Sequence, residues 1–167
     1  MPPLLQRRYV RCPYQRARAY LEEALSELAA TGVPKLVKLQ LPFTIEDQGG
    51  FEKDMLFTFG TGVDPLHFDQ PWTVRWAAQG PGSYPDFDGT LTVRADDDFR
   101  SSVLELLGMY QTAGEPFDAV ADFRLASATA REFLRTIACD YEGRYDTEEA
   151  AKKTTGNAST APPASSP

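Results

Sequence analysis

The chain has 167 residues, which is enough for one domain with a sizeable core. Its content of 42% hydrophobic and 25% charged residues is ordinary for a globular protein, and its net charge of −7 disfavours binding to nucleic-acid phosphates. No apolar run reaches the roughly 18 residues needed to span a bilayer, and the first residues lack the apolar stretch of a secretory leader, so we expect a cytoplasmic protein without membrane insertion.

The first part of the chain predicts a short strand followed by a helix. Residues 7–11 are the candidate strand, and Pro13 suits the first turn of a helix, where its missing N–H is not needed. Apolar side chains then recur at helical spacing until Gly32 and Pro34 mark the end of the helix. The predicted inward face comprises Ala17, Tyr20, Leu21, Ala24, Leu25 and Leu28.

The middle of the chain predicts a run of strands joined by short turns. Apolar residues alternate or cluster in 35–41, 53–59, 72–78, 90–95 and 102–110. Clusters of Gly, Pro and Asp between these segments are typical of turns, so the pattern favours an antiparallel meander. The predicted inward faces include Phe57, Phe59, Trp72, Trp76, Leu104, Leu106 and Tyr110, whereas Glu105 points the other way.

The last third predicts a long amphipathic helix from about Asp118 to about Tyr141. Its apolar stripe includes Val120, Phe123, Ala126, Ala130, Phe133, Leu134 and Ile137. The composition changes at residue 147, and no large apolar residue follows Thr154 to offset the entropy of ordering. We therefore predict one domain, residues 1–146, and a disordered polar tail, residues 147–167. The charged pairs 148–149 and 152–153 leave open an extension of the helix into this tail.

This order of elements resembles the helix-grip fold, an α+β architecture in which a curved antiparallel sheet wraps around a long C-terminal helix, with a short N-terminal helix. The positions that carry the resemblance are Trp76, the segment 84–93, Leu104 to Leu106, Gly108, Tyr110, Asp118 and the segment 126–134. They resemble bacterial proteins of the START-like superfamily, also called SRPBCC, which includes polyketide cyclases, plant ligand binders and lipid-transfer domains. The resemblance implies a cavity between sheet and helix, but it transfers no catalytic residues.

Three functions follow from this resemblance and from the aromatic inner face. The first is binding of a hydrophobic or aromatic small molecule, because apolar pockets with few polar groups are typical of such sites. The alternatives are a cofactor-independent enzyme similar to polyketide cyclases and dehydratases, and a protein-interaction module with a filled core. The residues expected to contact a ligand are Phe57, Phe59, Trp72, Trp76, Tyr84, Leu104, Leu106, Tyr110, Phe123, Ala126, Ala130 and Phe133.

Few polar groups are arranged for chemistry. His67 is the single histidine. Together with Tyr84 and Arg75 it is a candidate for acid–base catalysis, although alternation places Arg75 on the face opposite the tryptophans. The run 96–98 of three aspartates predicts a hairpin turn, since it lacks the alternating oxygen ligands of a calcium loop. We expect two reduced cysteines, no metal and no cofactor, and the pattern leaves the ligand and the oligomeric state open.

Overall fold

The computed structural model describes residues 1–41, 51–62, 71–112 and 119–158, which contain six strands and two helices. In chain order these elements are β1 (Pro3–Val10), α1 (Tyr14–Thr31), β2 (Lys35–Leu41), β3 (Phe51–Thr61), β4 (Trp72–Ala78), β5 (Asp86–Ala95), β6 (Ser102–Gln111) and α2 (Ala119–Ala158). Within these ranges, neither helix combines the length and the hydropathy that crossing a bilayer requires.

The strands form one antiparallel sheet in the order β1-β6-β5-β4-β3-β2. Strands β2 to β6 are therefore the predicted meander, and β1 is added beside β6. Both edge strands, β1 and β2, contact α2, so the sheet curves around this helix from two sides. This arrangement is the helix-grip α+β fold, and it confirms the architecture that the resemblance implied.

Small side chains allow the sheet to enclose α2. The five consecutive residues from Ala126 to Ala130 are all buried, although successive residues on a helix point in different directions. Three of these residues are alanines and the others are Ser127 and Thr129. Because none of them is bulky, neighbouring elements can approach this segment of the helix from several sides.

The ends of α1 follow the predicted signals. Pro13 precedes its first residue, and the carbonyl of Pro13 accepts hydrogen bonds from the N–H groups of Arg16 and Ala17. Gly32 follows the helix with a φ of 63°, a conformation that glycine adopts without strain, and its N–H donates to the carbonyl of Leu28. The glycine therefore ends α1 and directs the chain into β2.

The strand predictions are confirmed with changes at the ends. Strands β2 and β4 have the predicted bounds, and β6 is one residue longer than predicted. Strands β3 and β5 extend further than their predicted segments, because the residues added at their ends continue the backbone pairing with neighbouring strands. Strand β1 was predicted at 7–11 but occupies Pro3–Val10, since Pro3 to Val10 pair with Met109 to Ser102.

The prediction for the inward face in the first turns of α2 is wrong. The side chains of Val120 and Phe123 are 66% and 49% exposed, whereas Asp122 is buried. The buried line of the helix runs through Asp122, Ala126 and Ala130, at intervals of four residues, so Phe123 lies beside this line. Its ring still approaches Tyr110 at a centroid distance of 6.4 Å.

The end of α2 also differs from the prediction. The helix runs to Ala158, so the helical segment 147–158 corrects the prediction of disorder from residue 147. Ion pairs connect the start of this extension to the N-terminal part of the chain: Asp146, directly before it, lies 3.2 Å from Arg11, and Glu148 lies 3.5 Å from Arg16. Glu149 pairs with Lys152 one turn further on, which adds local support that an apolar count cannot detect. Residues 159–167 lie outside the described residues.

Candidate functional site

An aromatic cluster fills much of the space between α2 and the sheet; it consists of Phe57, Phe59, Trp76, Phe87 and Phe133. The rings of Phe57 and Phe133 stack with centroids 4.7 Å apart, which joins the sheet directly to α2. The rings of Trp76 and Phe87 stack at 4.1 Å. All five side chains are at most 6% exposed, so they pack mainly against protein.

Two glycines make room for the ring of Phe87. Gly89 on β5 and Gly108 on β6 lie directly opposite each other in the sheet. A Cβ atom at Gly108 would lie 2.6 Å from Cζ of Phe87, and one at Gly89 would lie 2.5 Å from the same atom. The ring of Phe87 therefore packs directly on the backbone of the two glycines, and it occupies space that the resemblance assigned to a cavity.

The polar group of Tyr84 is used within the fold. Its hydroxyl forms a short hydrogen bond with the Oγ1 atom of Thr129, and Thr129 donates its own proton to the carbonyl of Leu125. Tyr84 is therefore the donor in this pair, and it ties the segment before β5 to α2. Burial raises the pKa of Tyr84, and the hydrogen bond with Thr129 opposes this effect. The phenol stays protonated at neutral pH.

An open groove lies at the other end of the inner surface, between α1, β2 and α2. We call it the α1–β2 groove, and its volume is about 540 Å³. It is lined by Leu21, Ala24, Leu25, Leu28, Lys35, Leu36, Val37, Lys38, Leu39, Phe59, Phe133, Thr136, Ile137, Asp140 and Tyr141. Most of these side chains are aliphatic or aromatic, so the groove presents an apolar surface to a ligand.

The groove exists because the apolar stripe of α1 is only partly covered. Leu21 and Leu25 are buried, whereas Leu28 is half-buried and Ala24 is exposed. On the opposite wall, Ile137 of α2 is also half-buried. The stripe was predicted correctly, but part of it faces an open space instead of the protein interior.

Phe59 and Phe133 form the boundary between the groove and the aromatic cluster. Both residues line the groove, and their rings lie 6.3 Å apart. Phe133 also stacks on Phe57 behind it. The inner wall of the groove is therefore held in place by the packed core.

Charged groups stand at the rim of the groove rather than at its base. The side chains of Lys35, Lys38 and Asp140 are exposed. The ammonium group of Lys38 lies 3.1 Å from the carboxylate of Glu52, and this pair raises the pKa of Lys38. The ammonium group of Lys35 is exposed at this rim and forms no ion pair with any of the described residues.

The deep end of the groove leads to a tyrosine pair. The rings of Tyr141 and Tyr20 lie 5.5 Å apart, and the guanidinium of Arg144 lies 4.1 Å from the ring centre of Tyr20. Arg144 is held by Glu23 at 2.7 Å. Burial, reinforced by Asp140, raises the pKa of Tyr141, and burial together with Glu148 raises the pKa of Tyr20 to about 12. Both phenols stay neutral at physiological pH.

The structure brings only part of the predicted ligand set to the groove. Phe59 and Phe133 line it, while Phe57 and Trp76 lie in the aromatic cluster behind them. The remaining predicted residues do not line the groove; these are Trp72, Tyr84, Leu104, Leu106, Tyr110, Phe123, Ala126 and Ala130. Sequence reasoning missed the contribution of α1, although the repeat of Leu21, Leu25 and Leu28 was the signal that could have revealed it.

The other candidates for chemistry lie elsewhere. His67 falls outside the described residues. Arg75 lies on the outer face of the sheet, where its guanidinium is 2.8 Å from the carboxylate of Asp88, as alternation predicted. Burial, with Glu148 nearby, raises the pKa of the Cys12 thiol to about 11, so this thiol is protonated at neutral pH.

The aspartate run is a turn, as predicted. The carboxylate of Asp98 accepts a hydrogen bond from the N–H of Arg100 at 2.9 Å, and that of Asp96 accepts one from the hydroxyl of Ser101 at 3.0 Å. The N–H of Asp96 donates to the carbonyl of Ser101, which closes the connection between β5 and β6. The carboxylates therefore stabilise the turn.

Neither a protein-family model nor a curated relative matches the sequence. Among solved structures, the chain is similar to TTHA0849 from Thermus thermophilus, with 12% identity and a TM-score of 0.45 over 86% of this chain and 99% of that one. It is similar to Ara h 8.0201, with 13% identity and a TM-score of 0.45 over 87% and 98%. It is also similar to the Zhui aromatase/cyclase from Streptomyces sp. R1128, with 13% identity and a TM-score of 0.42 over 86% and 94%. At these values the similarity assigns no function to this chain.

Proposed function

We propose that this protein binds a hydrophobic or aromatic small molecule in the α1–β2 groove. The observation that carries the proposal is an apolar space of about 540 Å³ whose inner wall consists of the rings of Phe59 and Phe133. This volume lies in the range of known small-molecule sites, roughly 300 to 1,000 Å³. A ligand that covered Leu28, Ile137 and Val37 would gain stability from the removal of their apolar surface from water.

The distribution of polar groups supports binding more than turnover. An acid–base enzyme needs titratable groups that converge on a reacting atom. Among the described lining residues, the charged groups Lys35, Lys38 and Asp140 are exposed at the rim. The hydroxyl of Thr136 donates to the carbonyl of Glu132, and Tyr141 is held neutral by its raised pKa. We therefore prefer binding to the cyclase or dehydratase alternative.

A substitution that fills the groove tests the proposal. Ala24 is exposed on α1 and lines the groove, so tryptophan at this position should occupy it without disturbing the core. The probe is anilinonaphthalene sulfonate, an aromatic anion whose fluorescence rises in apolar surroundings. We expect saturable binding to the wild-type protein and a loss of affinity of about tenfold or more for Ala24→Trp, equivalent to about 1.4 kcal/mol.

The matched control is Ala19→Trp, which adds the same side chain to another exposed alanine of α1 that does not line the groove. It should bind the probe as the wild type does. Circular dichroism and the melting temperature establish that both variants are folded. Absence of saturable binding by the wild type, or equal loss in both variants, would overturn the proposal.

A further inference from the structure

The α1–β2 groove runs along an unpaired edge of the sheet. Strand β2 is the last strand in the sheet order, and it pairs with β3 alone. Five consecutive residues of this strand, 35–39, line the groove. Successive side chains of a strand point to opposite faces of the sheet, so a space that borders all five extends past the backbone edge. A ligand in the groove therefore lies next to the backbone of β2.

The hydrogen-bonding pattern identifies the backbone groups of β2 that face this edge. On an antiparallel strand, the N–H and C=O of one residue point to the same side, and those of the next residue point to the opposite side. The carbonyl of Asp54 accepts a hydrogen bond from the N–H of Gln79, directly after β4, so Asp54 turns its backbone groups towards β4. Its partner in the register is Lys38, which therefore turns its N–H and C=O away from β3. By the same alternation, Leu36 does so as well.

These edge groups have no partner within the fold. No hydrogen bond connects the outward N–H and C=O of Leu36 and Lys38 to any of the described residues. The two sets lie about 7 Å apart, which is the repeat of an extended peptide. A ligand without amide groups would cover them and leave them unpaired, at a cost in free energy. A peptide in extended conformation supplies the matching C=O and N–H groups.

The charges at the rim favour a carboxylate. The ammonium group of Lys35, at the start of β2, forms no ion pair with any of the described residues. On the α2 side, Glu23 and Asp140 both raise the pKa of Arg144, so the charge of Asp140 is partly balanced within the protein. A second copy of this edge is a poor partner, because Lys35 and Lys38 of the two copies would approach one another.

We propose that the ligand of the α1–β2 groove is a short apolar peptide with a free C-terminal carboxylate, bound as an additional strand on β2. This inference rests on the proposed function, because it names the class of molecule that occupies the same groove. The peptide backbone pairs with Leu36 and Lys38, and its alternate side chains cover Leu28 and Ile137. Its carboxylate lies near Lys35, the first residue of β2, so the peptide runs antiparallel to this strand.

Two peptides of nearly equal apolar surface test the strand pairing. The first is N-acetyl-trileucine with a free carboxylate, and the second is the same peptide methylated at every amide nitrogen, which cannot donate hydrogen bonds. In isothermal titration calorimetry the wild type should bind the first peptide saturably and the second about tenfold more weakly. Equal affinity for the two peptides, or no binding of the first, would overturn the proposal.

A pair of substitutions at Lys38 tests the same contact from the side of the protein. Lys38→Ala and Lys38→Pro both remove the side chain that lies 3.1 Å from Glu52, but only proline also removes the N–H at the free edge. Lys38→Pro should bind N-acetyl-trileucine about fivefold more weakly than Lys38→Ala does. The two variants should bind anilinonaphthalene sulfonate equally. Equal peptide affinities of the folded variants would contradict the pairing, and the methylated peptide provides the test should Lys38→Pro fold poorly.

The carboxylate is tested with Lys35→Gln and with the C-terminal amide of the same peptide. The substitution should weaken binding of the acid about two- to fivefold more than binding of the amide. An equal effect on both would refute the position of the carboxylate. Binding of anilinonaphthalene sulfonate that Ala24→Trp weakens, together with equal affinity for the methylated and unmethylated peptides, would overturn this inference and leave the proposed function in place. Failure of the proposed function would instead appear as absence of saturable binding of that probe by the wild type.

Discussion

The aromatic cluster and the α1–β2 groove are two regions of one continuous inner surface, and only the first of them is filled. In the cluster, Gly89 and Gly108 have no side chains, and this leaves room for the ring of Phe87 to stack on Trp76. At the groove, the small side chain of Ala24 and the half-covered side chain of Leu28 leave space between α1 and β2.

This difference shows that apolar character alone does not indicate where a cavity lies. The cluster consists of aromatic residues and the groove combines leucines with Phe59 and Phe133, so both regions are strongly apolar. The two regions differ in how the neighbouring side chains fit together. The glycines beneath Phe87 leave room for its ring, and the ring fills the space. The short side chain of Ala24, on the helix at the edge of the sheet, leaves the space beside it open. The filled region should therefore control stability and the open region should control binding.

Phe57→Ala should have the largest effect, because it removes the ring that links the sheet to α2 in the filled region. Phe57 is completely buried and stacks on Phe133 at 4.7 Å. We expect a loss of about 3 to 5 kcal/mol in the free energy of unfolding, and calorimetry or urea denaturation can measure it.

Phe123→Ala is the matched control: it removes a phenylalanine ring of α2 that is 49% exposed. It should cost less than about 1 kcal/mol. A similar loss in both phenylalanine variants would show that the buried cluster is not the centre of stability.

Gly108→Ala should have the next largest effect, because it adds a methyl group to the sheet directly beneath the ring of Phe87. The new Cβ atom would lie 2.4 Å from the carbonyl oxygen of Asp88 and 2.5 Å from Cα of Gly89, which are backbone atoms that cannot move aside easily. We expect a loss of about 3 kcal/mol in the free energy of unfolding, measured by urea denaturation.

Gly143→Ala is the control, since nothing lies within 4 Å of a Cβ atom at that position in α2. It should stabilise the protein by roughly 0.5 to 1 kcal/mol, because alanine favours the helix. Equal effects of the two substitutions would contradict the role assigned to Gly108.

Tyr20→Phe should have the smallest effect, visible only at alkaline pH. An ordinary tyrosine ionises near pH 10.0, whereas burial raises the pKa of Tyr20 in the folded protein to about 12. Between about pH 10 and about pH 12, the unfolded chain releases the phenol proton of Tyr20 whereas the folded protein keeps it. The free energy of unfolding therefore includes the full contribution of the protonated Tyr20 below about pH 10 and loses it as the pH rises towards about 12.

The test is the melting temperature measured from about pH 8 to about pH 11. The curve of Tyr20→Phe should differ from that of the wild type only above about pH 10, where the wild type loses this contribution. Tyr9→Phe alters a 57% exposed ring on β1 and should reproduce the wild-type curve. Parallel curves for the wild type and Tyr20→Phe would refute the expected linkage.

Most of the fold was predictable from local patterns. The alternation in β2 and β4 located both strands, and Pro13 and Gly32 located the ends of α1. One error in α2 arose at its start, where Asp122 takes the inward position beside Phe123. The other arose at its end, where ion pairs with the N-terminal segment support the helix, and such long-range pairs leave no periodic signal.

The candidate site was predictable only in part. Phe59 and Phe133 were named from the alternation of a strand and the stripe of a helix, and they do line the groove. The wall supplied by Leu21, Leu25 and Leu28 was assigned to the core. Helical spacing indicates which side chains leave water, but it cannot indicate how closely a second element approaches them.

The sequence by itself determined the order of elements, the face that most of them turn inward and the resemblance to the helix-grip fold, because these depend on local spacing and turn chemistry. The tertiary structure decided which part of the inner face is filled. That outcome depends on distances between elements far apart in the chain, such as the contact of Phe87 with Gly108 and the gap between Leu28 and Ile137. Periodicity within one segment carries no information about such distances.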